Sequence, residues 1–127
     1  MVSEEGRMDN VCFALPVLQG QSDAARTFMQ QLDGARRDEY DSSERRIGIT
    51  KELWYLAQLP SGDHLIGYME SADFGRALPM FVASREPFDV WFKEQMVAVT
   101  GLDLNDPPAD MKPAELLSKY EAESASV

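Results

Sequence analysis

The chain has 127 residues, 44% of them hydrophobic and 27% charged, with a formal net charge of −10. That is one domain's worth of chain with enough apolar residues for one modest core, and its negative field argues against nucleic acid as a partner. Cys12 is the only cysteine, which rules out an intrachain disulfide and a cysteine metal cluster and points to a reducing, cytoplasmic setting.

Residues 1–8, Met-Val-Ser-Glu-Glu-Gly-Arg-Met, hold no apolar run. They read as a flexible N-terminus rather than a signal peptide. No stretch approaches the ~18 apolar residues of a membrane span. Residues 10–18 read as a strand. Val11, Phe13, Leu15 and Val17 face one way, and Cys12, Ala14, Pro16 and Leu18 the other. Both faces are apolar, as in a strand covered on two sides. Pro16 lacks a ladder donor and belongs at a strand end or edge.

Ser22 is the expected N-cap of a helix whose apolar positions are Ala25, Phe28, Met29, Leu32 and Ala35. The helix is expected to run on through a stretch of balanced charge, where Arg37, Asp41 and Arg45 sit four apart and can pair in solvent. It should end near Ile47, with Gly48 left-handed at C′. Residues 49–59 and 64–70 alternate as two strands around the turn Pro60-Ser-Gly-Asp63, a β-hairpin. On the first, Leu53, Tyr55, Ala57 and Leu59 share a face, and Glu52, Trp54, Leu56 and Gln58 the other.

Ser71 or Asp73 caps the next helix, which Pro79 should kink or split. Pro87 opens a further helix that Gly101 closes. Its stripe is Phe88, Trp91, Phe92, Met96 and Val99. Leu102-Asp-Leu104 reads as a short fourth strand. Residues 105–127 form a proline-containing C-terminal arm with a short helix over 113–121, so residues 9–104 make the folded domain.

This order gives an α+β fold: a ferredoxin-like antiparallel sheet with helices on one face. The second sheet face also carries apolar residues and needs a cover. A second copy of the chain is the economical cover, with sheets ~10 Å apart; the C-terminal tail is the alternative.

Four stretches, Glu52-Leu-Trp-Tyr-Leu56, Pro60-Ser-Gly-Asp63 with the strand to Tyr68, Pro87-Phe-Asp-Val-Trp-Phe92 and Thr100-Gly-Leu-Asp-Leu104, resemble the dimeric α+β barrel proteins. That group includes antibiotic-biosynthesis-monooxygenase-like proteins and small bacterial members without known activity. The resemblance implies a dimeric α/β barrel and a site for a small aromatic or polyketide-like molecule, used without a cofactor.

His64, the only histidine, is the candidate proton carrier, with Tyr68 beside it as a second catalytic candidate. Trp54, Trp91, Phe88 and Glu52 are the candidate ligand-binding residues, since aromatics can wall a pocket for a planar molecule. They can equally be core. The helix dipole accounts for Asp89. Glu52 and Glu70 are the one carboxylate pair the hairpin offers. No histidine–carboxylate spacing suggests a metal, and no glycine-rich phosphate loop is present. A non-enzymatic homodimeric binding or regulatory module is the alternative function.

Overall fold

A computed structural model describes residues 8–122; the N-terminal segment proposed as flexible lies, apart from Met8, outside them. The elements run β1 (Asp9–Pro16), α1 (Ser22–Asp33), α2 (Arg37–Ile47), β2 (Ile49–Leu59), β3 (Gly62–Ser71), α3 (Phe74–Ala83) and α4 (Pro87–Thr100). The chain is α+β, with a three-stranded antiparallel sheet in the order β1-β3-β2.

The register fixes which side chains face the helices. Val11, Phe13 and Leu15 stand opposite Met69, Gly67 and Leu65 of the central strand. Glu52, Trp54 and Leu56 stand opposite the same three from the other side. Successive strand residues alternate between faces, so Cys12, Ala14, Leu53, Tyr55, Ala57, His64, Ile66 and Tyr68 share the opposite face. Leu65 is buried, whereas Leu53, Tyr55 and Leu59 are exposed. The helices therefore cover one face, and the second is open.

Helix α1 buries Ala25, Phe28 and Leu32, and α4 buries Phe88, Phe92, Met96 and Val99. These side chains meet Leu65 and Leu104 in the main core. Phe28 packs edge-on to both Phe92 and Trp91, with ring centroids 5.0 and 5.5 Å apart. A smaller cluster of Ile47, Ile49 and Ala77 lies toward α3.

The long helix expected from residue 22 to 47 is two. The chain breaks at Gly34, where helix propensity is lowest, and its N–H closes a tight turn onto Gln31 O at 3.2 Å. The expected Ser22 cap is also displaced. Gln21 holds the N-cap position, and Ser22 Oγ instead donates to Asp63 Oδ2 at 2.6 Å, tying α1 to the start of β3. Asp73 caps α3, accepting from Arg76 N–H. Gly48 and Gly101 close α2 and α4 with φ of 91° and 77°. Pro79 does not split α3, which continues to Ala83.

Two C-terminal expectations fail. Residues 101–103 form no strand, so among the described residues the sheet has three strands. Leu104 turns into the core instead of pairing. Residues 112–122 form no helix; Pro113 and the lack of any packed face leave nothing to hold one. Among the described residues, the arm's main-chain bond to the sheet runs from Ala114 N–H to Cys12 O, at 2.6 Å. No helix among the described residues is long and apolar enough to cross a membrane.

Candidate functional site

Helix α2 carries an unusual stripe. Tyr40, Ser43, Glu44 and Ile47 recur at i, i+3, i+4 and i+7, the spacing of a core-facing surface, yet two are polar and one is an acid. Arg37, Asp41 and Arg45 occupy the opposite face. Arg45 pairs with Asp41 at 2.9 Å, both well exposed. Because that face takes the solvent, Tyr40 and Glu44 are turned toward β2, where Glu52 points inward.

The result is a hydrogen-bonded group at the wall of a cavity. Tyr40 Oη donates to Glu52 Oε2 at 2.7 Å, and Trp54 Nε1 donates to the same oxygen at 2.8 Å. The Glu44 carboxyl lies within hydrogen-bonding reach of Glu52. Two donors on one oxygen are the arrangement that suits an ionised carboxylate. The Glu44 carboxyl is the shifted one. Burial, then the charge and hydrogen bond of Glu52, then Asp89 hold its carboxyl well above the usual range, so Glu44 keeps its proton. Burial, reinforced by Glu52 and Glu44, pushes the Tyr40 phenol up as well. Neither glutamate has an ion-pair partner among the described residues.

The cavity measures about 70 Å³ and lies between the sheet and the helices. Phe13, Met69, Phe81, Phe92, Met96 and Met111 are among its apolar walls. Tyr40, Ser43, Glu44 and Glu52 supply its polar end, with the Trp54 ring beside them. A second, open groove runs outside, between Asp33, Arg37, Asp41 and Lys51. Groove and cavity share Tyr40, Glu44, Ile49 and Glu52. The carboxyl pair thus stands where solvent meets the apolar interior.

The candidates drawn from the sequence separate into two places. Trp54, Glu52 and Phe88 line the cavity. Trp91 does not; it is half-buried, edge-on to Phe28, with the Arg36 guanidinium 4.1 Å above its ring. His64 and Tyr68 lie on the open sheet face. His64 stands opposite Pro16 and Ala57 at a strand end, with Nδ1 3.1 Å from Gly62 O. Tyr68 Oη donates to Glu70 Oε2 at 2.7 Å, a bond that pushes its phenol up. The sheet itself separates these two from Glu52 and Trp54. Glu52 and Glu70 are also on opposite faces, so the carboxylate pair of this chain is Glu44–Glu52.

A second polar group lies behind the cavity. Asp89 is fully buried, accepting from Ser43 Oγ and Ser84 Oγ, each at 2.5 Å, and pairing with Arg46 at 2.9 Å. It joins α2, α4 and the α3–α4 turn, a role the helix dipole alone does not describe. Lys93, one turn on, sends Nζ to the carbonyls of Val82 and Ser84 at 2.9 and 3.0 Å. Burial pushes its ammonium pKa down. No buried side-chain polar atom among the described residues lacks a partner, so both groups read as internal ties. No group of three or more His, Cys, Asp or Glu among the described residues is placed to hold a metal.

No protein-family model matches the chain, nor does a curated protein or a solved structure. The function must be argued from the site.

Proposed function

We propose that this chain binds a small apolar molecule in the cavity between its sheet and helices. The observation that carries the reading is an apolar cavity with hydrogen-bonding groups gathered at one end, the usual form of a small-molecule site. Its volume is on the order of five waters' worth of space. A short alkyl chain fits that volume, and a single aromatic ring fits if the thioethers of Met69, Met96 and Met111 move aside, as methionine readily does. Tyr40 and Trp54 orient Glu52, and Glu44 keeps its proton beside it. The reading needs no cofactor, and it assigns no reaction. His64 has no part in it.

We further propose that the working unit is a homodimer joined through the open sheet face, in the manner of the dimeric, ferredoxin-like α+β barrels that the sequence resembles. Exposed Leu53, Tyr55 and Leu59 on one face support this, because such apolar surface on one side of a sheet marks an interaction site.

The test is binding of 1-butanol and phenol, followed by two-dimensional NMR of the native protein. Saturable shifts of the Trp54 indole and the Met96 methyl are expected. Ala77→Leu, which adds three carbons to a buried wall residue, is expected to abolish them. Shifts that are absent, or that survive in Ala77→Leu, would remove the cavity as the site.

A further inference from the structure

We propose that the cavity's ligand is a small primary ammonium compound whose charge rests against Glu52 and whose apolar body lies among the phenylalanine and methionine walls. This deepens the cavity reading above and rests on it.

Among the described residues no lysine, arginine or histidine lines the cavity, and the titratable ones that do are Tyr40, Glu44 and Glu52. Tyr40 and Glu44 are neutral, for the reasons given above, whereas Glu52 accepts two hydrogen bonds on one oxygen. The cavity end therefore holds one negative charge, with donors for it but no base. A charge partly withdrawn from water favours an opposite charge nearby. A ligand carboxylate would meet repulsion there, and an alcohol would leave the charge as it is. A monocation neutralises it.

Access points the same way. The groove that shares Tyr40, Glu44, Ile49 and Glu52 with the cavity also carries Asp33 and Asp41. Arg37, Arg45 and Lys51 of the same groove offset them, Arg45 on Asp41 at 2.9 Å and Arg37 near Asp33 at 4.0 Å, so the bias toward cations comes from the chain as a whole. A net charge of −10 draws cations to the surface and slows anions. A primary amine supplies three donors on a compact head, enough to reach Glu52 and still bond water in the groove. The volume limits the body to roughly four carbons before the walls must shift.

The experiment compares butylamine, 1-butanol and butyrate, equal in carbon number, on the full chain at neutral pH by NMR titration. Butylamine is expected to bind at least about tenfold more tightly than 1-butanol, and butyrate not to bind. Glu52→Gln keeps an acceptor for Tyr40 and Trp54 and removes the charge. In that variant the two neutral-pH affinities should converge. If 1-butanol binds as well as butylamine to the wild-type chain, the amine assignment is wrong and the cavity reading survives. If none of the three perturbs the cavity residues, both are wrong. If butylamine shifts persist undiminished in Ala77→Leu, the amine is held by the acidic surface and the assignment also fails. The wild-type comparison stands even if Glu52→Gln does not fold.

Discussion

Gly67 and Trp54 face each other on adjacent strands so closely that a Cβ on Gly67 would lie 2.6 Å from Trp54 Cζ3. The missing side chain is what lets the indole lie across β3 and reach Glu52. The ring has little freedom to retreat, because Nε1 is bonded to Glu52 and its other side packs toward Phe92. Gly67→Ala is therefore expected to destabilise the fold by about 1–3 kcal/mol, the range for overfilling a packed interior. Urea denaturation followed by tryptophan fluorescence measures it. The emission maximum of the folded state should also change as the indole loses its carboxylate. An unaltered midpoint would mean that Trp54 moves freely.

Glu44 makes stability depend on pH in an unusual direction. Its folded carboxyl titrates above the unfolded value, because burial and then Glu52 disfavour its charge. The folded state thus holds one more proton than the unfolded chain across the neutral range. Its stabilising effect is complete below the unfolded carboxylate pKa and is lost as pH rises toward the folded one. One such proton contributes a slope of up to about −1.4 kcal/mol per pH unit. Glu44→Gln keeps a hydrogen-bonding group and has no proton to lose. The variant should show a flatter decline between pH 5 and 9, seen by denaturation at a series of pH values. Parallel curves for variant and wild type would show that Glu44 ionises freely.

What the sequence disclosed follows from periodicity. The strands announced themselves by alternation, and Gly48, Asp73, Pro87 and Gly101 marked helix ends where the structure has them. Two features of the site were less visible. Pairing Arg37, Asp41 and Arg45 in solvent already implies that Tyr40, Ser43, Glu44 and Ile47 face inward, but an acid on an inward stripe reads as solvated until its partner is known. That partner, Glu52, is on another element. His64 drew attention as the one histidine, whereas the same alternation that put Trp54 and Glu52 on the helix side puts His64 and Tyr68 on the other. The break at Gly34 and the irregular arm were harder still. Both depend on whether tertiary contacts repay the cost of a short helix, and no local pattern states that.

Asp89 ties three elements together, and its removal tests whether that tie is structural. With the side chain fully buried and Arg46 Nη2 at 2.9 Å, replacing the charge leaves the guanidinium without its counter-ion and gives Ser43 and Ser84 one fewer acceptor. Asp89→Asn is expected to cost about 3 kcal/mol, in line with breaking a buried ion pair. Asp41→Asn, which breaks the exposed pair with Arg45, should cost under about 1 kcal/mol. Thermal unfolding of the two variants side by side makes the comparison, and equal losses would contradict it.

The open sheet face leads to the last expectation. Tyr55 is 58% exposed and Leu53 41%, on a surface that also carries Ala57, Ile66 and Tyr68. The described part of the arm does not bury it; Leu116, Leu117 and Tyr120 are themselves exposed, at 70%, 84% and 87%. A stable pairing of two chains needs on the order of 1,200 Å² of buried surface, so the sheet face and the exposed apolar side chains of the arm would both take part. Light scattering should thus report twice the 14.3 kDa chain mass. Leu53→Asp with Tyr55→Asp places two charges at the centre of the face and should return the particle to a single chain with the helix content intact. The cavity lies on the far side of the sheet, so butylamine shifts should persist in that monomer. A wild-type chain that scatters as one folded subunit at working concentration would leave the face without a second copy, whatever the cavity binds.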